Sequence, residues 1–297
     1  VCIHTYNKYE FLNGKEENEI MHGKTESVIL KILVYAAAAI TVCTAVGIVI
    51  YILIKGVPNI SADLFAAKYN SENCSLFPAM VNTVTMTLLS LLIAVPLGIF
   101  SAVYLVEYAK KGNKLVGIIR ITAETLSGIP SIVYGLFGYL MFVTTLGFEY
   151  SMLSGALTLS IMILPVIMRT TEEALMSVPD SYREGSFGLG AGKLRTVFRI
   201  VLPSAVPGIL SGIILSTGRI VGETAALIFT AGTVAQIPDN LLGSGRTLSV
   251  HLYALWNEGL NTDKAYATAV ILLIIVVIIN MLSSFIAKRI TKGKTNE

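Results

Sequence analysis

An all-α membrane protein with six transmembrane helices is the fold class this sequence predicts, on three observations. Hydrophobic residues make up 54% of the 297 and charged residues only 14%, against roughly a quarter charged in an average soluble domain. The apolar residues gather into long runs instead of recurring at core periodicity. Lysine and arginine concentrate in alternate connections between those runs. An ordinary soluble enzyme is excluded by the same composition. A net charge of +3 with 22 scattered basic residues supplies no phosphate-neutralising patch, so no nucleic-acid partner is expected. Cys2, Cys43 and Cys74 are odd in number, far apart and outside metal-ligand spacing, which leaves no disulfide framework or zinc site.

A hydrocarbon core of about 30 Å takes about 20 helical residues. Charge-free runs of that order fall at residues 32–54, 79–106, 125–148, 151–168 and 265–287; another, 204–232, is as long but contains Arg219 and Glu223. The first run is too long for the apolar part of a cleaved signal peptide and has no small-residue cleavage site behind it, so it reads as a retained helix. Residues 1–27 form a polar lead-in; Val1 in place of methionine points either to translation from Met21 or to an alternative start codon. The six-helix transmembrane domain then occupies 28–287, and 288–297 form a basic tail.

Orientation follows from the positive charges. With six spans, 17 Lys and Arg residues lie on the side of the termini and four on the other, with Arg219 inside a span. The positive-inside rule makes both termini cytoplasmic. Pro96, Pro130, Pro165 and Pro207 fall within or at the ends of spans, where a missing backbone donor bends a helix. The external connections are 56–78 and 233–264; in the latter, His251, Tyr253 and Trp256 have a spacing suited to an interfacial helix, either as membrane anchors or as a docking surface.

The connection 169–203 is far longer than two neighbouring helices require. It carries Glu184-Gly185-Ser186, then Gly190 after three residues, then Ile200 and Leu202-Pro203 after nine more. This spacing resembles the coupling-loop signature of permease subunits of binding-protein-dependent ABC importers, E-A-A followed by G and I-x-L-P. Gly185-Ser186 replaces the usual two alanines, which keeps small side chains but should weaken the local helix. Read physically, Glu184 sits in a short helix, Gly190 lets the backbone leave it, and a second helix from Lys193 to Ile200 ends at Pro203. Two short helices at an angle make a knob. Gly188, Gly190, Gly192 and Lys193 only superficially suggest a nucleotide loop, because Phe187 and Leu194 stand where a P-loop needs Gly and Ser or Thr. The chain is therefore expected to bind no ATP or other cofactor.

An arginine near mid-bilayer costs at least about 2.5 kcal/mol on insertion scales, so Arg219 and Glu223 need partners or water. Arg219 lies 15 residues beyond Ser204, roughly 22 Å along a helix. Four residues apart, the two are expected on one helical face. They form either a self-neutralising pair, in the less favourable basic-before-acidic order, or part of a pathway. Thr217, Thr224 and Thr230 add hydroxyls, and Gly212, Gly218, Gly222 and Gly232 allow close contact or unwinding.

The run Gly218 to Leu227 (GRIVGETAAL) also looks like the motif of permeases of the bacterial phosphate-specific importer. So do Ile129 to Gly135 (IPSIVYG), Leu164 to Leu175 (LPVIMRTTEEAL) and Val201 to Ile209 (VLPSAVPGI). The Arg-Thr-Thr-Glu segment and the length resemble the A-type rather than the C-type permease. The resemblance implies the type I importer permease (MetI-like) fold and a non-catalytic subunit forming half of a phosphate pathway. Its implied partners are a homologous C-type permease, two copies of an ATPase carrying ATP and Mg, and an external phosphate-binding protein, in a bacterial or archaeal cytoplasmic membrane. The knob would sit in a groove of the ATPase through Glu184, Gly185, Ser186, Gly190, Ile200, Leu202 and Pro203. Arg219, with Glu223 and Thr224, would line the path, the arginine fork on phosphate oxygens and the carboxylate accepting the proton of hydrogen phosphate. Arg169 is either a further pathway cation or a positive anchor at a span end, and Glu124 has similar status. The rivals are a permease for sulfate or molybdate and an ion-coupled carrier using Arg219 and Glu223 as a charge relay. An intramembrane enzyme finds no support, since His4, His22 and His251 are dispersed and no acid pair or nucleophile with a base emerges.

Overall fold

The computed structural model describes residues 30–110, 112–259 and 261–292. The lead-in, with His4, His22 and Cys2, and the end of the tail lie outside the described residues. Every regular element among the described residues is helical. The chain divides into two units, residues 1–54 and 55–297. The first contains most of helix α1 (residues 30–56), which is long and apolar enough to cross a membrane.

The second unit begins with two 3₁₀ turns, Val57–Asn59 and Ala62–Phe65. Helix α2 (Phe77–Val103) follows and is extended by a π-helical turn, Tyr104–Tyr108. Next come α3 (Lys114–Ser127), α4 (Ser131–Gly138, with a π turn Tyr139–Thr145) and α5 (Met152–Met176). Short helices α6 (Asp180–Gly188) and α7 (Lys193–Thr196) lead through a π turn, Val197–Val201, into α8 (Leu202–Gly222). The chain closes with α9 (Ala225–Thr230), α10 (Leu248–Glu258) and α11 (Thr262–Lys292). Five helical stretches are long and apolar enough to cross a membrane, and α3 with α4 and its π turn makes six if that bent pair is counted as one span.

Three of the expected spans are revised. The run 125–148 is not one helix: α3 and α4 meet at 104°. Gly128 closes α3, and Pro130, extended at φ −59°, ψ 140°, starts α4 while keeping Ile129 out of the helical region. Helix α3 also carries Lys114, Arg120 and Glu124, so a search for charge-free runs starts it too late. The run 151–168 continues to Met176, placing Arg169 inside α5. Pro203 does not end the second knob helix, because Lys193–Gly222 is one helical stretch. The proline falls in the first turn of α8, where its missing N–H is tolerated, just after the widened π turn.

Helix α5 is the centre of the unit, packed between α2 and α8. Met86, Met152, Leu159, Met162, Ile163, Ile167 and Leu227 form one buried cluster around it. Between helices in lipid, close approach and polar cross-links hold more than hydrophobicity can. Ser160 on α5 donates to the carbonyl of Ser90 on α2 at 3.1 Å. A Cβ on Gly98 would fall 2.7 Å from Ile167, and one on Gly212 of α8 would collide with the Thr170 hydroxyl of α5. Likewise Gly135 on α4 lets the backbone of Ala226 on α9 come close, so two of the motif runs meet in space.

Candidate functional site

The run containing Arg219 and Glu223 is broken where those residues lie. Helix α8 stops at Gly222, and Glu223 turns extended at φ −71°, ψ 127°. Its carboxylate Oε1 accepts the Ala226 N–H at 3.1 Å, at the start of α9, and its carbonyl accepts the Ser249 hydroxyl of α10 at 2.6 Å. The expected one-face pair is therefore corrected: among the described residues Arg219 and Glu223 form no ion pair, because the helix that would align them has ended. Glu223 is buried and serves the N-terminus of α9, where a negative group is favoured. Gly222 followed by Thr224 before an Ala-Ala-Leu run was the legible signal, a helix stop and a new N-cap in succession.

Arg219, on the last turn of α8, is half-buried and forms no hydrogen bond or ion pair with another described residue. It lies within electrostatic range of the Tyr134 hydroxyl on α4, which itself donates to the Leu126 carbonyl at 2.8 Å. Thr224 donates weakly to the Gly222 carbonyl at 3.4 Å and stands in the break itself.

Arg169 belongs to a different place. Its Nε lies 3.1 Å from Glu173 and its Nη1 3.4 Å from Glu124 on α3. Beside it Arg120 pairs with buried Glu172 at 2.5 Å. These side chains, with Ala123, Met168 and Met176, line a cavity of about 230 Å³. Arg169 and Glu124, read separately from sequence, come together, but Arg219 does not line this cavity. Two arginines against three carboxylates leave no excess positive charge for an anion there.

The segment after α5 forms two short helices. Gly190 takes φ +82°. The Gly190 N–H reaches the Phe187 carbonyl at 2.9 Å and the Ala191 N–H that of Ser186 at 3.1 Å, the paired bonds of a Schellman C-cap. Nothing lies within 4 Å of a Cβ at Gly190, so the backbone angle alone calls for glycine. Ser186 and Thr196 share a hydroxyl–hydroxyl bond of 2.8 Å that ties α6 to α7, a role that alanine could not fill. Glu184, Gly185, Phe187, Leu189, Leu194 and Phe198 face outward. Leu189, 90% exposed, is the most exposed large apolar side chain among the described residues. Ile200 and Leu202 are half-buried at the turn into α8.

Arg183 is the residue that sequence reading passed over, having counted only as one positive charge. Its Nε and Nη2 both donate to Glu107 at the end of α2, at 3.0 and 2.8 Å. Nη2 also reaches the Leu175 carbonyl of α5 at 2.9 Å, while Nη1 reaches the Val178 carbonyl at 2.8 Å and Asp180 at 3.1 Å. No local pattern announces a bond between residues 76 apart.

At the other end of the helices, Tyr253 and Trp256 are exposed on α10 but His251 is fully buried, edge-on to Tyr69 at 5.9 Å. Burial, assisted by Arg246, holds its pKa down at about 3, so the imidazole is neutral. Arg246 is buried as well, stacked 4.6 Å from the Tyr69 ring centroid. His251 thus does not share the outward face of the two aromatics.

Residues 94–295 match the family described as binding-protein-dependent transport system inner membrane component. The chain is 36% identical to the probable ABC transporter permease protein YqgI of Bacillus subtilis (strain 168), over 87% of this chain and 94% of that one. It is 39% identical to the phosphate transport system permease protein PstA 1 of Mycobacterium tuberculosis (strain H37Rv), over 71% and 69%. Among solved structures, a chain of a bacterial alginate ABC transporter in complex with its alginate-bound periplasmic protein superposes with a TM-score of 0.68 at 19% identity, covering 90% of this chain and 98% of that one. A chain of the inward-facing MetNI methionine ABC transporter gives 0.57 at 20% identity, over 73% and 94%. These two likenesses speak for the fold, the type I permease arrangement.

Proposed function

Because the chain belongs to the family of binding-protein-dependent transport system inner membrane components, the permeases of ABC importers, we propose that it imports inorganic phosphate, forming half of the pathway beside a homologous C-type permease. The observation that carries the phosphate reading is Arg219, a cation on a span with no counter-charge among the described residues. A guanidinium without a carboxylate partner offers its planar fork to an oxyanion, as a neutralised one does not. Relatives named as phosphate permeases support the choice of anion.

The proposed driving force is external to the chain. The termini and the α6–α7 knob face the cytoplasm, in keeping with the positive charge on that side, and the knob seats in a separate ATPase that holds ATP and Mg. Phe187, Leu189, Leu194 and Phe198 of this segment are each exposed apolar side chains suited to burial against such a partner. An external phosphate-binding protein delivers the anion on the side of α10. This chain carries no catalytic step; closure of the ATPases moves the knobs and opens the path outward.

Labelled phosphate uptake, competed with sulfate and molybdate, tests the reading in cells or vesicles containing the whole transporter. Arg219→Gln should lower phosphate uptake by about tenfold or more, a loss of about 1.4 kcal/mol or more of interaction with the moving anion, while the complex still assembles. Unchanged uptake would remove Arg219 from the pathway, and full competition by sulfate would move the assignment to another oxyanion.

A further inference from the structure

Helix α8 is the covalent continuation of the knob, yet a push along it ends at the break at Glu223 and Thr224. Helix α2 is unbroken from Phe77 to Tyr108. Its inner end is gripped by both knob helices at adjacent residues: Arg183 of α6 holds Glu107, and Lys193 of α7 lies 5.1 Å over the Tyr108 ring. All five N–H donors of the Arg183 guanidinium have acceptors, on α2, on the end of α5, and on the turn and first residue of α6. Arg183 and Glu107 are 16% and 8% exposed, so the pair faces into the protein rather than toward a docked subunit.

The outer end of α2 is fastened too. Asn82 donates through Nδ2 to the Gln236 carbonyl at 2.8 Å and to the Arg246 carbonyl at 3.1 Å. The Thr83 hydroxyl accepts the Leu248 N–H at 2.8 Å. From Asn82 to Glu107 is about 37 Å at helical rise. Along the way Ser90 and Ser160 link α2 to α5, whose inner end Arg183 also holds.

We propose that Arg183 is the positioning residue through which the knob moves α2 and α5 together, and that α2 carries this movement to the external segment between Gln236 and Leu248. This rests on the coupling reading above and adds to it the element that receives the motion. A guanidinium suits the task because its fork fixes direction as well as charge; a lysine ammonium would keep only the attraction to Glu107.

The test uses the assembled transporter, with Cys2 and Cys43 replaced by serine and a Phe77→Cys probe at the outer end of α2, where Phe77 is 40% exposed. Labelling by a membrane-impermeant maleimide is measured with and without ATP. In the parent the labelling rate should respond to ATP. In Arg183→Gln and in Glu107→Gln the ATPase should still co-purify with basal hydrolysis within about twofold, while the ATP response vanishes and uptake falls by about tenfold or more. Arg183→Lys should recover part of both. No ATP response at residue 77 in the parent, or a response retained in both variants, overturns the proposal. Loss of ATPase association in both variants would likewise overturn it, by making the pair part of the docking fold. An ATPase that fails to co-purify even with the parent would sink the coupling reading beneath it.

Discussion

Glu223 shows how one residue changes meaning when its backbone is known. In sequence it stands one helical turn from Arg219; in the fold it caps α9 through the Ala226 N–H and leaves the arginine without a counter-charge. Glu223→Ala should therefore destabilise the α8–α9 junction by about 1 kcal/mol, the usual loss when a capping oxygen is removed. Glu223→Gln keeps an accepting oxygen and should stay near the parent. Thermal unfolding of the purified transporter, followed by fluorescence, checks this; equal losses in both variants would point to charge rather than the cap. Arg219, Thr224 and Glu223 were legible as unusual polar residues in an apolar run. Their geometry was not, because helix spacing assumes a helix and the Gly222 stop removes it.

At the scale of elements, the knob is set by a backbone angle. A residue with a Cβ at φ +82° costs roughly 1–2 kcal/mol, more when β-branched. Gly190→Val should disturb the exit from α6 and reduce ATPase association, whereas Gly190→Asn, whose side chain tolerates that region, should retain most of it. Co-purification of the ATPase with each variant reads the difference; equal retention would show that the turn is not needed for docking. Within the spacing from Glu184 to Pro203, Gly190 and Ser186 answer local demands, a backbone angle and a hydroxyl bond to Thr196. Arg183 was invisible because its partners are Glu107 and the carbonyls of Leu175 and Val178, and no local rule relates them. Similarly, α3 escaped a hydropathy search because Arg120 and Glu124 lie in it, their charges met by Glu172 and Arg169 of α5.

At the scale of the molecule, the arrangement suits a gate moved from outside itself. The knob at one end and the segment before α10 at the other are joined by α2, and Arg219 near the end of α8 does not line the cavity of the paired Arg120–Glu172 and Arg169. Purified alone in lipid vesicles, the chain should accumulate no phosphate under a proton or sodium gradient, and uptake should appear only with the partner subunits and ATP inside. Accumulation by the chain alone, measured with labelled phosphate, would favour the ion-coupled carrier.

Composition and the runs of apolar residues determined by themselves that this is a helical membrane protein, since a bilayer demands long uncharged helices wherever they occur. The spacing of small and polar residues in the knob was equally local and equally readable. Only the tertiary structure decided where helices bend or stop and which charges meet. Those outcomes depend on the turns taken at Pro130 and after Gly222 and on partners such as Glu107 and Arg183, 76 residues apart in the chain, which bond where the end of α2 meets α6. Proximity of that kind is a property of the folded chain, and no spacing rule along the sequence contains it.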